Sequence, residues 1–486
     1  MASLSELKAA RIKKLERLGD FGMEAYPARV IKDMSLAEAK ARFDDMEKSG
    51  QTFSLAGRIV AIRGQGAILF VVLKEDKETF QAVFKKDELD EKLFELFTEV
   101  ADIGDFISVS GKFFRTQRGE QSLAVSGWSM ASKSLLPLPE KWHGLTDPDE
   151  KLRKRYLDIL MDDEVREIFY KKAVFWEATR EFLKKNGFLE VETPTLEITT
   201  GGAEARPFAT HHNDFDLDVF MRISVGELWQ KRLLAAGFPR VFEIGRVYRN
   251  EGSSPEHLQE FTSMEFYASF MDYNEGMSFT EGMIKEVVQK TFGTLLFTKG
   301  EHTFDLSGAW ERVPYVETIE KMTGVNVLSA NETDMESKLS ELGVKYEGKN
   351  RERLTDTLWK YCRKQLTGPL WLVDVPKIVS PLAKAKKDNP LLTERAQLIL
   401  AGAECTNGFS ELNDPIDQRQ RFEVQKKLLE EGDEEAMMSD MEFVEMLEHG
   451  MPPAFGFAYG ERLFAFLVNR PIRETQLFPL MRPKEE

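Results

Sequence analysis

The sequence has little cysteine and no surplus of positive charge. Its 486 residues include two cysteines, Cys362 and Cys405, which stand far apart and form no metal-ligand spacing. This pattern argues against a disulfide framework and against a structural zinc site. The formal net charge of -16 argues against binding of nucleic acid through overall charge, so any RNA contact must come from local basic patches.

Long apolar runs are also missing. No stretch reaches the roughly eighteen apolar residues that a membrane span needs, and the N-terminal residues lack the apolar core of a signal peptide. We therefore expect a cytoplasmic protein with no membrane contact. The hydrophobic content of 42% is enough for a sizeable core. The length allows roughly two to four domains.

The most informative stretch runs from Val241 to Tyr267. It predicts a strand, a loop and a second strand, since residue types alternate with period two on both sides of the loop. In the second strand one face is apolar, and we expect the core not to use the opposite face. The apolar face has Met264, Phe266, Ala268 and Phe270, and the opposite face has Phe261, Ser263, Glu265 and Tyr267.

Arg249 and Phe261 flank the loop of this hairpin. A guanidinium suits a phosphate and an aromatic ring suits a base, so the pair favours a nucleotide site. The alternation alone is equally typical of an ordinary hairpin with a solvated face.

The N-terminal third predicts a small β-barrel. Five alternating strands lie between Phe53 and Trp128, with a helical segment between the third and the fourth, which is the order of an OB-fold. Before it, Leu4 to Leu18 predicts a helix crowded with lysine and arginine. That helix has either a solvated charged face or a contact to an RNA backbone.

Polar residues also interrupt an apolar strand near the C-terminal end. The apolar run LILAGA leads to Glu404, Asn407, Phe409 and Glu411. Carboxylates in such a place need partners, because unpaired burial is costly. A bound cation or an ammonium ligand would supply them. Upstream, Val165 to Asn186 predicts an amphipathic helix that leads into a strand ending at Pro194.

These motifs together resemble the class II aminoacyl-tRNA synthetases, in the form found in lysyl-tRNA synthetases. GRVYRNEG followed by EHLQEF and MEFY resembles motif 2, the helix and strand before Pro194 resemble motif 1, and GFAYGERLFAFLV resembles motif 3. The predicted barrel resembles the family's anticodon-binding domain.

The resemblance implies an α+β fold, with an OB-fold barrel and a catalytic domain built on an antiparallel sheet flanked by helices. It implies an N-terminal helical extension over residues 1–50, the anticodon-binding domain over 51–140 and the catalytic domain over 141–486, with a helical insertion at about 275–367. Motif 1 implies a homodimer, since that motif forms the dimer interface in the family.

The activity implied is activation of L-lysine with ATP and Mg2+, followed by transfer to tRNA(Lys). By position, the family's roles fall on four groups of residues. Arg249 and Arg462 are catalytic. ATP is bound by Arg249, Glu251, His257, Phe261, Glu404 and Arg462, of which Glu404 is the metal ligand. Lysine is bound by Glu227, Glu265, Tyr267, Asn407, Phe409 and Glu411. The anticodon is bound by Arg63, Phe70, Gln81 and Glu120.

Three features depart from the lysine form. Gln397 stands where the family has a second magnesium-binding carboxylate, ISVGEL is one residue longer before Glu227, and EHLQ and Glu461-Arg462 resemble the asparaginyl enzymes. An asparaginyl- or aspartyl-type synthetase is therefore an alternative, and a non-catalytic RNA-binding or regulatory paralogue is another. The acceptor-rich pocket favours lysine, because an uncharged or anionic ligand would leave its carboxylates unpaired.

Overall fold

The computed structural model of the chain describes residues 3–64, 66–139, 145–203, 205–252, 254–346, 350–432 and 436–484. The chain folds into two compact units, Met1–Asp163 and Glu164–Glu486. The boundary that we predicted between residues 140 and 141 lies outside the described residues.

The first unit is built on a closed five-stranded barrel in the order β1-β2-β3-β5-β4. The helix α4 lies between β3 and β4 in the chain, so the predicted OB-fold is confirmed. The strands are β1 (Thr52–Arg63), β2 (Ile68–Glu75), β3 (Glu78–Lys85), β4 (Phe106–Arg115) and β5 (Gln121–Ser132). The helices are α1 (Leu4–Phe21), α2 (Leu36–Ala41), α3 (Phe43–Ser49), α4 (Glu91–Val100), α5 (Pro148–Arg153) and α6 (Arg155–Met161).

The basic helix α1 uses much of its charge within its own unit. It begins after a Ser3–Glu6 capping box and ends at Gly22, which has a φ of 84°. Lys14 Nζ lies 2.7 Å from Asp102 Oδ1, and Arg17 Nε lies 2.9 Å from Glu99 Oε2. These pairs favour a structural use of Lys14 and Arg17 over a contact to RNA.

The second unit has a larger set of elements. Its helices are α7 (Asp163–Lys185), which begins at the boundary, α8 (Glu227–Ala235), α9 (Tyr273–Phe292), α10 (Tyr315–Thr323), α11 (Glu332–Glu341), α12 (Arg351–Arg363), α13 (Pro415–Glu430), α14 (Met441–His449) and α15 (Glu461–Leu467). Two 3-10 turns span Lys377–Val379 and Ile472–Thr475.

Its strands are β6 (Leu189–Glu190), β7 (Leu196–Glu197), β8 (Ala209–His212), β9 (Leu217–Met221), β10 (Arg240–Tyr248), β11 (Glu260–Ser269), β12 (Leu296–Lys299), β13 (His302–Asp305), β14 (Glu311–Pro314), β15 (Leu370–Val373), β16 (Val375–Pro376), β17 (Leu392–Thr393), β18 (Arg395–Leu400), β19 (Ala403–Glu404), β20 (Asn407–Ser410) and β21 (Ala454–Gly460).

The main sheet of this unit runs β14-β15-β18-β20-β21-β11-β10-β6, with β19 paired to β18. All neighbours are antiparallel except β14 with β15 and β10 with β6. One face packs aromatic side chains against α7, α9 and α15, including Phe175, Phe266, Phe455 and Phe464. The other face meets α8, α13 and α14. The predicted antiparallel-sheet architecture is therefore confirmed.

The range that we predicted as a helical insertion, about 275–367, has a mixed character. The helix α9 packs on the main sheet, where Phe279 contacts Phe266 with ring centroids 5.6 Å apart, and β14 joins the sheet itself. A second hydrophobic core forms around α10, α11 and α12 and includes Leu370, Leu372 and Ile399 of β15 and β18. Apolar side chains on α9 explain the difference, since they bury against the sheet. Within the described ranges, no helix is both long and apolar enough to cross a membrane.

Candidate active site

The hairpin of β10 and β11 places its two faces on opposite sides of the sheet. Met264, Phe266 and Ala268 are buried in the core, as predicted, but Phe270 lies beyond the end of β11 and is 79% exposed. Its φ of 57° turns the chain out of the strand, so the predicted apolar face stops at Ala268. The opposite face is not free surface either, because Tyr267 is buried against α8 and α14.

A cavity of about 380 Å³ opens on this opposite face. Its lining brings together every residue that we predicted for ATP and for lysine, from four separate parts of the sequence. These are Glu227, Arg249, Glu251, His257, Phe261, Glu265, Tyr267, Glu404, Asn407, Phe409, Glu411 and Arg462. The antiparallel order β20-β21-β11-β10 explains the convergence, since β20 and β11 both pair with β21.

One end of the cavity has the cationic and aromatic groups. Arg249 follows β10, and its guanidinium lies 5.4 Å from the centroid of the Phe261 ring. Its Nε donates to the backbone oxygen of Ile223 at 3.3 Å. Burial lowers the pKa of Arg249 from its ordinary value, but a guanidinium keeps its proton at neutral pH. The side chain is therefore a fixed, weakly hydrated positive charge beside a flat ring.

His257 and Arg462 lie at the same end. The Nδ1 of His257 hydrogen-bonds with Ser254 Oγ at 2.7 Å, and Arg462 forms an ion pair with Glu256. Burial and the charge of Arg462 lower the pKa of His257. The neighbouring Glu461 is fully buried and accepts a hydrogen bond from the backbone N–H of Thr262 at 3.1 Å. The motif 3 helix is thereby tied to β11.

Glu404 lies on the cavity wall between a helix and a strand. Its Oε1 accepts a hydrogen bond from Trp359 Nε1 at 2.7 Å, and its Oε2 accepts one from Gln397 Nε2 at 3.4 Å. In the part of the chain that the structure describes, no group of three or more His, Cys, Asp or Glu side chains is placed to hold a metal. A divalent cation here would need most of its ligands from a bound phosphate and from water.

The other end of the cavity is rich in acceptors. Glu265 accepts hydrogen bonds from the backbone N–H of Val225 at 2.7 Å and from the Tyr267 hydroxyl at 2.9 Å. Glu227 opens α8 after Gly226, and Glu411 is 1% exposed. Burial, and then the charge of Glu227, raise the pKa of Glu265. Burial also raises the pKa of Glu411, while Lys231 opposes that rise.

The structure adds residues that we did not predict. Arg395 lines the cavity, and its Nε donates to Asn407 Oδ1 at 2.8 Å, which fixes the amide of Asn407. Trp359 holds Glu404 from a helix far away in sequence. Lys231 lies directly behind Glu227 and Glu411. Only Lys231 had a local signal, because Glu227 and Lys231 have the i, i+4 spacing of a helical ion pair.

The predicted anticodon residues lie on neighbouring strands of the barrel in the first unit. Arg63 on β1 pairs with Phe70 on β2, and Gln81 on β3 donates to Ser122 Oγ at 2.8 Å. Glu120 is exposed just before β5. Phe70 is half-buried between the buried residues Leu69 and Val71, so its ring lies on the outer face of the barrel and not in its core.

The fold and the cavity define a class II aminoacyl-tRNA synthetase. Residues 147–482 match the family described as tRNA synthetases class II (D, K and N), and residues 53–131 match the OB-fold nucleic acid binding domain.

Relatives that match the full length of the chain show to which group of this family it belongs. The chain is 42% identical to the lysine–tRNA ligase of Thermotoga maritima over 488 residues, which covers 99% of this chain and 97% of that protein. It is 43% identical to the lysine–tRNA ligase of Moorella thermoacetica, with 99% of both chains covered. The chain therefore belongs to the lysine–tRNA ligases, an ATP-using family of ligases.

Proposed function

We propose that the cavity binds L-lysine at its acceptor-rich end and ATP at its cationic end. The observation that carries this proposal is the convergence of Glu227, Glu265 and Glu411 on one buried region, beside Arg249 and Phe261. Buried carboxylates need cationic partners; Lys231 pairs with Glu227 and Glu411 from behind, and a substrate ammonium would supply a partner on the cavity side. An aspartate or asparagine side chain offers no such group, so lysine is favoured over the substrates of the neighbouring families.

In this proposal ATP lies with its adenine on Phe261 and its α-phosphate on Arg249. His257 and Arg462 face the outer phosphates, and Glu251 lines the same end. Glu404 would be the protein carboxylate that holds Mg2+, and the ion when bound would neutralise phosphate charge. Gln397 contributes an amide that hydrogen-bonds to Glu404, so we propose that it orients this carboxylate.

The reaction then needs positioning more than covalent help from the protein. An oxygen of the lysine carboxylate attacks the α-phosphorus, and pyrophosphate leaves with the bonding electron pair. The 3'-terminal hydroxyl of tRNA(Lys) attacks the carbonyl carbon of the lysyl-adenylate, and AMP leaves. Arg249 and Arg462 stabilise the charge on the phosphates during the first step.

The test is amino-acid-dependent ATP–pyrophosphate exchange with lysine, asparagine and aspartate. Exchange with lysine alone is expected. Exchange driven by asparagine or aspartate would replace the proposed substrate, and exchange with none of the three would favour a regulatory RNA-binding protein.

We also propose a homodimer and a cytoplasmic location. Leu189, Leu196 and Ile198, in the segment that resembles motif 1, are 48%, 52% and 66% exposed in the single chain. Exposed apolar side chains gathered in one short segment support an interface between two copies.

Two glycines of β21 give separate tests of the two ends of the cavity. A Cβ at Gly456 would lie 2.0 Å from Glu411 Oε1 and 2.5 Å from the Tyr267 ring, whereas a Cβ at Gly460 would lie 3.3 Å from the Phe261 ring. We expect Gly456→Ala to raise the KM for lysine about a hundredfold, because it displaces a binding carboxylate. Gly460→Ala should raise the KM for ATP instead. Exchange kinetics measure the KM for lysine and the KM for ATP in both variants. Equal changes of the two KM values within one variant would contradict the assignment of lysine and ATP to opposite ends.

The barrel is tested by separating tRNA charging from amino-acid activation. Phe70→Ala is expected to raise the KM for tRNA(Lys) about tenfold or more, because it removes a stacking surface for one base. Exchange, which needs no tRNA, should stay unchanged. Phe106→Ala is the matched control, since Phe106 is a partly exposed phenylalanine of β4 that lies under Arg58. Equal effects of the two variants on charging would argue against a specific role for Phe70.

The pH dependence follows from Glu265. Burial raises its pKa from 4.5 to about 7, so the carboxylate that would pair with the substrate is largely protonated below neutral pH. The KM for lysine should therefore fall about tenfold between about pH 6 and about pH 8, a range in which the substrate ammonium stays charged. Glu265→Gln should flatten part of this change. If the KM for lysine of the wild-type protein does not vary with pH, Glu265 does not pair with the substrate ammonium.

A further inference from the structure

Lys231 is a buried base inside the acid-rich end of the second unit. Its side chain is 1% exposed, and its Nζ lies 2.7 Å from Glu227 Oε1 and 2.5 Å from Glu411 Oε2. Three aromatic rings surround this ammonium, with centroids 5.7, 5.4 and 5.8 Å away for Tyr267, Phe409 and Phe443. A buried ammonium persists only where close partners compensate its lost hydration, and here two carboxylates do so.

Lys231 and the cavity lie on opposite sides of the Glu227 and Glu411 carboxylates. Glu227 and Glu411 line the cavity, whereas Lys231 is not among the lining residues and approaches the two carboxylates from behind. Lys231 contacts Oε2 of Glu411. Both oxygens are buried without a hydrogen-bond partner of good geometry among the described residues, but only Oε2 lies in ion-pair contact with Lys231, whereas Oε1 lies beside Gly456 of the cavity lining. One oxygen of Glu411 is thus held by the protein, and the other is left for a ligand.

The acceptor-rich end of the cavity has more acids than bases close to Glu411. The charged and titratable groups that face Glu411 are Glu227 and Lys231 from α8, and Glu265 and Tyr267 from β11. Three acids lie near the one ammonium of Lys231, with Arg249 acting on Glu265 from the cationic end, so a cationic substrate finds acceptors that Lys231 alone does not match. If Lys231 were absent, mutual repulsion and burial would favour protonated acids, which are poor partners for an ammonium.

We propose that Lys231 is a positioning residue that favours the ionised forms of Glu227 and Glu411, holds their free oxygens toward the cavity, and thereby sets the preference for a cationic amino acid. This inference rests on the proposed function of the cavity. In this inference, the buried Lys231 positions the carboxylates that would bind the ammonium group of a substrate lysine.

The experiment compares Lys231→Met with Lys231→Arg in the full chain. Lysine-dependent exchange is measured against lysine, ATP and pH. Lys231→Met should raise the KM for lysine about a hundredfold near neutral pH, with little change in the KM for ATP. This increase in the KM for lysine should become smaller as the pH rises, because alkaline conditions ionise the carboxylates that have lost Lys231 as a partner. Lys231→Arg, which keeps the charge, should stay within about tenfold of the wild type.

Two results would overturn the inference. One is a KM for lysine in Lys231→Met close to the wild-type value. The other is a rise in the KM of that variant that is the same at every pH and affects ATP as well as lysine. A residue with a merely structural role would give this result.

A stability measurement covers the case in which Lys231→Met folds poorly. Thermal unfolding of Lys231→Met is compared with that of the double variant Lys231→Met/Glu227→Gln, which removes one acid together with the base. The double variant should have the higher unfolding midpoint at neutral pH, and a midpoint no higher would count against charge balancing. If the wild type exchanges with asparagine or aspartate and not with lysine, the proposed substrate is wrong, yet this comparison still decides whether Lys231 balances the acids.

Discussion

Arg249→Ala is expected to lose about a thousandfold in lysine-dependent ATP–pyrophosphate exchange, or about 4 kcal/mol of transition-state stabilisation. The guanidinium is half-buried, fixed by the Ile223 carbonyl and placed beside Phe261. A partly buried positive charge next to a phosphate stabilises it more than a charge in bulk water does, and its loss would leave the charge that develops on the α-phosphate without a partner. The effect should fall mainly on kcat, since this charge is greatest in the transition state.

The measurement is steady-state exchange at saturating and limiting ATP. Arg419→Ala is the matched control, because Arg419 forms an exposed ion pair with Glu448 at 2.9 Å and does not line the cavity. An Arg249→Ala enzyme whose kcat stays within about tenfold of the wild type would show that another group carries the phosphate charge.

The second large effect is expected at Glu411. Glu411→Gln should lower kcat/KM for lysine about a thousandfold, because it removes one partner of a buried ion pair and puts an amide where a carboxylate meets an ammonium. The KM for ATP should change little, since Glu411 lies at the opposite end of the cavity from Arg249. The same substitution leaves Lys231 with Glu227 as its remaining carboxylate partner at short distance.

Exchange kinetics with lysine as the varied substrate measure this loss. Glu430→Gln serves as its control, because Glu430 is an exposed residue of α13 whose ion pair with Lys426 spans 3.9 Å. If Glu411→Gln keeps the wild-type kcat/KM for lysine, then Glu411 does not bind the substrate ammonium, and Glu265 becomes the candidate.

The asparaginyl-like residues lie away from the acceptor-rich end. Glu256 and His257 belong to the motif 2 loop, where Glu256 pairs with Arg462, and Glu461 contacts Thr262. These residues adjust the end proposed for ATP, whereas Glu227, Glu265 and Glu411 form the end proposed for the amino acid. A change in the first group therefore need not alter the choice of amino acid.

The parts of the site that could be predicted from the sequence share a physical origin. Period-two alternation assigns Phe261, Ser263, Glu265 and Tyr267 to one face whatever surrounds the strand, and all four line the cavity. Alternation does not reveal where a strand ends. Phe270 continues the pattern in sequence but turns out of the strand through a left-handed backbone conformation.

The contacts that could not be predicted join segments far apart in the chain. Trp359 and Glu404 are 45 residues apart, and Lys231 and Glu411 are still further apart, so neither pair produces a local pattern. Burial could not be predicted either: Tyr267 belongs to an apparently polar face and is nonetheless 3% exposed, because α8 and α14 cover it.

The hydrogen bond from Trp359 to Glu404 has a consequence for protein engineering. Most side chains of the second hydrophobic core come from α10, α11 and α12, so this segment resembles a removable module, although Leu370, Leu372 and Ile399 of β15 and β18 complete that core. Yet α12 supplies Trp359, and Arg363 donates to the backbone oxygen of Gly402 at 2.9 Å, just before Glu404. A shortened chain that lacks this segment would lose both hydrogen bonds that hold Glu404 and Gly402 in place. Trimming and domain-exchange designs should therefore keep α12 with the sheet that it supports.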